Sequence, residues 1–186
     1  MEAISKDKRY TYADYLTWDD DVRYELIDGV PYMMSSPSRI HQEILGILHV
    51  RLFNFLEGKP CRVFISPLDV RLNANKEKSD NSIVQPDLLV VCDKSKVDVQ
   101  SINGAPDFVI EVLSPSTASY DFIVKLNKYI QAGVREFWIV DPVTETVQVH
   151  IIENNNHIIN TYEKHETVPV HILDGCIIDL KDVFTN

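Results

Sequence analysis

Three short runs, DLLVV at 87–91, DFVIEVL at 107–113 and REFWIVD at 135–141, are apolar at successive positions. A strand that is apolar on both alternating faces is one that a sheet buries on both sides, so these runs belong in the interior of a layered fold. Glu111 interrupts the second run. A carboxylate there loses its hydration and needs a cation, a metal ion or several donors to restore the lost energy.

Helices and further strands surround these runs. TYADYLTWDDDVRYELIDG reads as a short helix from Tyr12 to about Trp18, then a strand centred on Tyr24 to Ile27. Asp28-Gly29 is a hairpin signal, with VPYMMS as the returning strand. From Ser38 to Gly58, the stripe Ile40, Ile44, Ile47, Leu48, Leu52 and Phe55 predicts a long amphipathic helix. CRVFISPLDVRL predicts a strand that Pro67 can break, NANKEKSDNS a polar exposed loop, and DKSKVDVQSINGAP an excursion with no helical period.

Ser114 to Thr117 can cap a second helix, ASYDFIVKLNKYIQAG, in which Phe122, Leu126, Tyr129 and Ile130 share a face up to Gly133. TVQVHIIENNNHIINTYE alternates on both sides of an Asn-rich turn, which predicts a C-terminal β-hairpin and a candidate interface. The order of elements predicts an α/β or α+β fold, a mixed central sheet flanked by helices, in one domain spanning 1–186.

No apolar run reaches the roughly 18 residues of a membrane span, and the first residues lack a secretory signal, so the expected compartment is the cytoplasm. Cys61, Cys92 and Cys176 are odd in number and far apart, which predicts buried reduced thiols. The six histidines form no HExxH or other ligand-spaced pair. A net charge of -10 argues against a surface that attracts nucleic acid as a whole. It is compatible with carboxylates clustered to hold divalent cations.

Asp87 opens DLLVV after Pro86, and Glu111 lies in DFVIEVL. If the two strands are neighbours, both side chains reach the same end of the sheet, an oxygen environment that suits Mg²⁺ or Mn²⁺. The helix that follows supplies a complement, because Asp121, Lys125 and Tyr129 recur every four residues, with Lys128 close to that face. A lysine beside a metal-bound water can orient or deprotonate it, or hold charge developing at phosphorus. Glu25, within RYELIDG, is the third acidic candidate, and Asp69 in LDVRL is ambiguous in the same way.

RYELIDG, PSRIHQEIL, QPDLLVV, DFVIEVLSPST, the Asp121, Lys125 and Tyr129 helix, and AGVREFWIVDP occur in that order. Together they resemble the Uma-two family of restriction-endonuclease-like proteins, a branch of the PD-(D/E)XK nuclease superfamily. The resemblance covers roughly Tyr10 to Pro142. It implies a restriction-endonuclease-like core and a metal-dependent endonuclease that hydrolyses phosphodiester bonds, with DNA as the expected partner and a homodimer as the expected assembly. On that pattern Glu25, Asp87 and Glu111 hold Mg²⁺ (or Mn²⁺), and Lys125 assists the attacking water. The superfamily lysine two residues after the second acid is missing, because that position is Leu113, and Lys125 on the next helix is the matching residue. His41 matches a histidine at the start of the long helix.

Simpler readings stand beside these. Asp87 can be a strand-start carboxylate after proline, and Glu111 half of a buried ion pair with Lys125 or Lys128. Lys125 can be an exposed helix lysine paired with Asp121, Tyr129 core packing, His41 an ordinary helix-start histidine, and Asp19 to Asp21 a solvated helix end. The corresponding function is a non-cleaving interaction or DNA-associated protein that keeps the nuclease fold.

Overall fold

The computed structural model describes residues 4–18, 22–114, 119–153 and 156–185, without the side chains of 119–122. Its elements are α1 (Tyr12–Tyr15), β1 (Tyr24–Ile27), β2 (Val30–Met33), α2 (Arg39–Leu56), β3 (Arg62–Ile65), β4 (Asp69–Arg71), β5 (Ile83–Val84), β6 (Leu88–Val91), β7 (Ser101–Asn103), β8 (Phe108–Val112), α3 (Ser119–Ala132), β9 (Glu136–Asp141), β10 (Thr146–Glu153), β11 (Asn156–Glu163), β12 (Thr167–Pro169), β13 (Ile177–Asp179) and α4 (Leu180–Val183).

The three apolar runs form β6, β8 and β9 in the middle of a six-stranded sheet ordered β11-β10-β9-β8-β6-β3. β8 and β9 pair in parallel while β6 pairs antiparallel with β8, so the sheet is mixed, as the sequence predicts. Alternation assigns the layers. Leu88, Val90, Phe108, Ile110, Val112, Trp138 and Val140 pack against α2 and the C-terminal segment. Leu89, Val91, Val109, Phe137 and Ile139 face the other way, onto Tyr129 of α3 and onto Ile27, Val70 and Val84. Those last three belong to a second sheet, ordered β2-β1-β5-β4-β7. Glu111 is in phase with Val109, so its carboxylate points between α3 and the second sheet.

Local chemistry sets the element ends. Thr11 and Asp14 make a capping box on α1, and Ser38 caps α2 by accepting from the His41 amide. The β1–β2 turn has positive φ at both Asp28 (53°) and Gly29 (76°), and a Cβ on Gly29 would stand 2.9 Å from the Tyr10 carbonyl oxygen. α2 is anchored by Leu48 and Leu52, both fully buried, each contributing about 2 kcal/mol of transfer free energy.

Several expectations change. α1 ends at Tyr15, not Trp18, because Thr17 and Trp18 bond back to Asp14 and Tyr15 in a tighter turn, which brings the Trp18 ring onto Tyr10 and Tyr24. Ile40 is 39% exposed at the start of α2, and Leu45 and Leu56 complete the buried stripe instead. Pro67 divides its run into β3 and β4, which enter different sheets. The loop before β5 is not all exposed: Asp80 is buried and takes both ends of the Arg71 fork, at 2.8 and 2.6 Å. Asp19 to Asp21 lie outside the described residues.

The cysteine expectation is corrected for two of three positions. Antiparallel pairing of Arg62 with Val91 sets Cys61 opposite Cys92, and the two are joined in a disulfide. Spacing along the chain could not show that adjacency. Cys176 is free and buried, and burial pushes its thiol up to about 11. The hairpin forms as β10 and β11, and β11 is the outer strand, with Ile158 and Ile159 half exposed. No helix among the described residues is long and apolar enough to cross a membrane.

His150 of β10 is 2% exposed, and burial together with neighbouring His157 pushes its imidazole down to about 4. Its Nε2–H donates to Gln148 Oε1 and its Nδ1 accepts from His157, both at 2.8 Å, so the bonded ring is neutral. In the unfolded chain the ring titrates near 6.5. Between pH 6.5 and 4 the unfolded state therefore binds the extra proton, and stability present above pH 6.5 is lost as the pH falls. Denaturation of wild type and His150→Gln across pH 4 to 7 should show a stability difference that shrinks by up to about 3 kcal/mol toward pH 4. Parallel pH profiles would place the acid sensitivity elsewhere.

Candidate active site

Strand pairing delivers the three acids to one place. Leu88 pairs with Ile110, and the next residues outward on the two strands are Asp87 and Glu111. β1 pairs with β5, whose following residue Gln85 donates its backbone N–H to Glu25 Oε1 at 2.8 Å. α3 lies over this junction. Its four-residue spacing points Lys125 and Tyr129 at the same atom, Glu111 Oε1, at 2.6 and 2.7 Å.

Lys125 Nζ also lies 2.9 Å from Glu25 Oε1, so one ammonium stands between two carboxylates. Burial alone would lower its pKa, but Glu111 and Glu25 outweigh burial and hold it above the ordinary lysine value. Burial pushes Glu111 up to about 7. The Lys125 charge opposes that rise, and Asp87 and Glu25 add to it. Burial and the Glu111 carboxylate keep the Tyr129 phenol protonated.

Asp87 Oδ2 accepts from the Val112 amide at 2.8 Å and contacts His41 Nε2 at 3.0 Å. Burial works against the His41 imidazolium, but the bond to Asp87 prevails and raises its pKa. His41 Nδ1 is buried without a partner. His41 is therefore part of the site through Asp87, as a ring that orients a carboxylate.

Each acid thus commits one oxygen to protein donors: Glu25 Oε1, Glu111 Oε1 and Asp87 Oδ2. The second oxygen of each has no protein partner among the described residues. All three acids line a cavity of about 560 Å³, with Lys125 and His41 beside them. No group of three or more His, Cys, Asp or Glu among the described residues is placed to hold a metal ion, and Lys125 stands at the point between Glu25 and Glu111. Hard carboxylate oxygens facing a cavity are the donor type that Mg²⁺ takes while keeping several waters.

Other candidates separate from this cluster. Lys128 pairs with Asp28 at 2.8 Å instead of Glu111. The side chain of Asp121 lies outside the described residues. Asp69 accepts from Gln85 Nε2 at 2.8 Å and Tyr15 OH at 3.2 Å, one residue removed from the acids.

Gln85 and Arg23 are neighbours of this cluster that pattern reading does not find. Arg23 donates to Gln85 Oε1 through Nε and Nη2, at 3.1 and 2.5 Å, and to Ser66 Oγ at 2.9 Å. A guanidinium can only donate and a carboxylate only accept, so the Gln85 amide must turn its oxygen to Arg23 and its nitrogen to Asp69. The available signal was a glutamine beside proline, directly before a buried strand.

A mixed sheet flanked by helices, with acids at the adjoining ends of two central strands, marks a nuclease-like fold. The chain belongs to the Uma2 family, described as "Putative restriction endonuclease", whose pattern matches residues 12–181. An uncharacterized protein of Synechocystis sp. is 29% identical over 145 residues, which span 77% of this chain and 73% of that protein. The fold is similar to that of a crystal structure described as a putative nuclease belonging to DUF820 from Anabaena variabilis. The TM-score is 0.77 at 20% identity, covering 95% of this chain and 98% of that one.

Removing one partner of a buried ion pair leaves an uncompensated charge, so Lys125→Met at pH 8 without divalent cations should cost about 3–5 kcal/mol. Adding Glu111→Gln should recover about 1–3 kcal/mol of that loss. The check is a double-mutant cycle by chemical denaturation. Additive effects would mean that the Lys125–Glu111 contact carries no coupling.

Proposed function

We propose that the protein is a divalent-metal-dependent endonuclease that hydrolyses phosphodiester bonds in DNA. The observation that carries this reading is the set of three acids that line one cavity, each with one oxygen held by protein donors. Glu25, Asp87 and Glu111 would hold Mg²⁺ or Mn²⁺ once they draw together in place of the Lys125 contact that now separates Glu25 from Glu111. Bound there, the cation supplies a water of lowered pKa and neutralises charge on a phosphate oxygen.

The remaining work falls to the chain's own groups. The Val112 amide and His41 fix the direction of Asp87, Tyr129 fixes Glu111, and the Gln85 amide fixes Glu25. Lys125 carries its charge beside the cavity, where it can donate to a phosphate oxygen on which negative charge develops. Its two carboxylate partners oppose loss of its proton, which favours this electrostatic role over general-base action.

One observation favours a second reading. Lys125 already compensates Glu111 and Glu25 in the protein by itself, as a structural ion pair would. A non-cleaving interaction or DNA-associated protein of the same fold would keep that pair and need no metal.

Incubation with supercoiled, linear and single-stranded DNA in Mg²⁺ or Mn²⁺ separates the two. Cleavage is expected for the wild type, with a loss of at least about a hundredfold in Asp87→Ala and Lys125→Ala. Calorimetry should show Mg²⁺ binding that Asp87→Ala and Glu111→Ala abolish. Metal binding without cleavage would remove these DNAs as substrates, and absence of both would establish the second reading.

A further inference from the structure

The nuclease reading leaves open which form of nucleic acid reaches the acids, and the cavity bears on that question. Glu25 and Glu111 are only 6% and 8% exposed, so a scissile phosphate has to descend to them. A cavity of about 560 Å³ takes a phosphate and a base, which a single strand supplies without the unstacking that a duplex requires. The charge budget agrees: of the three lysine and arginine residues lining the cavity among the described residues, Lys125 is committed to carboxylates, which leaves Lys6 and Arg23. Duplex-binding proteins commonly make 6–10 phosphate contacts.

Arg23 is the cation best placed for a phosphate. It is exposed, its guanidinium is held by the neutral Gln85 amide and Ser66 hydroxyl, and no carboxylate lies within ion-pair distance among the described residues. Its Nη1 has no hydrogen-bond partner there, and the nearest carboxylate influence is a longer-range attraction to Asp69. Gln85 also holds Glu25 through its backbone, so the guanidinium and the acid are referenced to one residue. The adjoining wall is Met33, Met34 and Pro37 beside Tyr32, whose ring carries Lys6 Nζ 5.2 Å from its centroid, and Met33 is 71% exposed. Aromatic and thioether surfaces take the face of an unpaired base.

We propose that the cavity receives a single-stranded nucleic-acid segment, with a phosphate on the Arg23 guanidinium and a base against the Tyr32–Met34 wall. The inference rests on the nuclease reading for its site and is tested by binding, so the two can fail separately.

Fluorescence anisotropy in Ca²⁺ buffer would compare labelled single-stranded DNA and RNA 12-mers with the same DNA as a blunt duplex. The single strand should bind at least tenfold more tightly than the duplex. Arg23→Gln should weaken it at least tenfold and reduce the slope of log affinity against log salt by about 0.7, the contribution of one phosphate contact. Arg23→Lys should recover part of the loss, and unchanged melting temperatures would show that both variants fold. Equal or tighter duplex binding, absence of binding to either strand, or an Arg23→Gln variant with wild-type affinity would each overturn the proposal. Cleavage of the same oligonucleotides in Mg²⁺ reads the other question: Arg23-dependent binding without cleavage sinks the nuclease reading alone, and equal cutting of duplex and single strand sinks this one alone.

Discussion

The Lys125 ammonium between Glu111 and Glu25 joins three elements that have no backbone pairing with one another. Glu111 comes from the central sheet, Glu25 from the second sheet and Lys125 from α3, with contacts of 2.6 and 2.9 Å. At an effective dielectric near 20, each contact is worth on the order of 5 kcal/mol before desolvation, and burial cancels much of that gain. The pair is therefore weak evidence for stability. It is better evidence for position, because a buried cation tolerates few other geometries.

Gln85 extends this arrangement outward. Its backbone holds Glu25, its amide oxygen holds Arg23, and its amide nitrogen holds Asp69 and Tyr15. The cavity is thus graded, with carboxylates and their single ammonium at depth and a guanidinium on neutral supports nearer solvent. A protein of net charge -10 has little attraction for a polyanion over its surface as a whole. Local placement of a few cations then decides where a phosphate can approach.

Much of this was legible in the residues. The doubly apolar runs became β6, β8 and β9, Asp28-Gly29 became a two-residue turn, and the acid inside a buried strand met the Lys125 cation its burial called for. Helical spacing correctly paired Lys125 with Tyr129, since both reach Glu111. The C-terminal segment was less readable. Val168, Val170, Leu173 and Ile178 complete one face of the core from short, irregular elements whose period is too brief to recognise.

By itself the sequence determined the types of strand and helix, the presence of a buried carboxylate that needed compensation, and the family to which the motifs belong. Only the tertiary structure decided the partners. It paired Lys128 with Asp28, drew His41 onto Asp87, set Cys61 against Cys92, and made Gln85 the link between Arg23 and Glu25. The physical reason is the difference in range. Alternation and helical spacing are written along the chain, whereas a partner dozens of residues away is chosen by strand register and sheet packing.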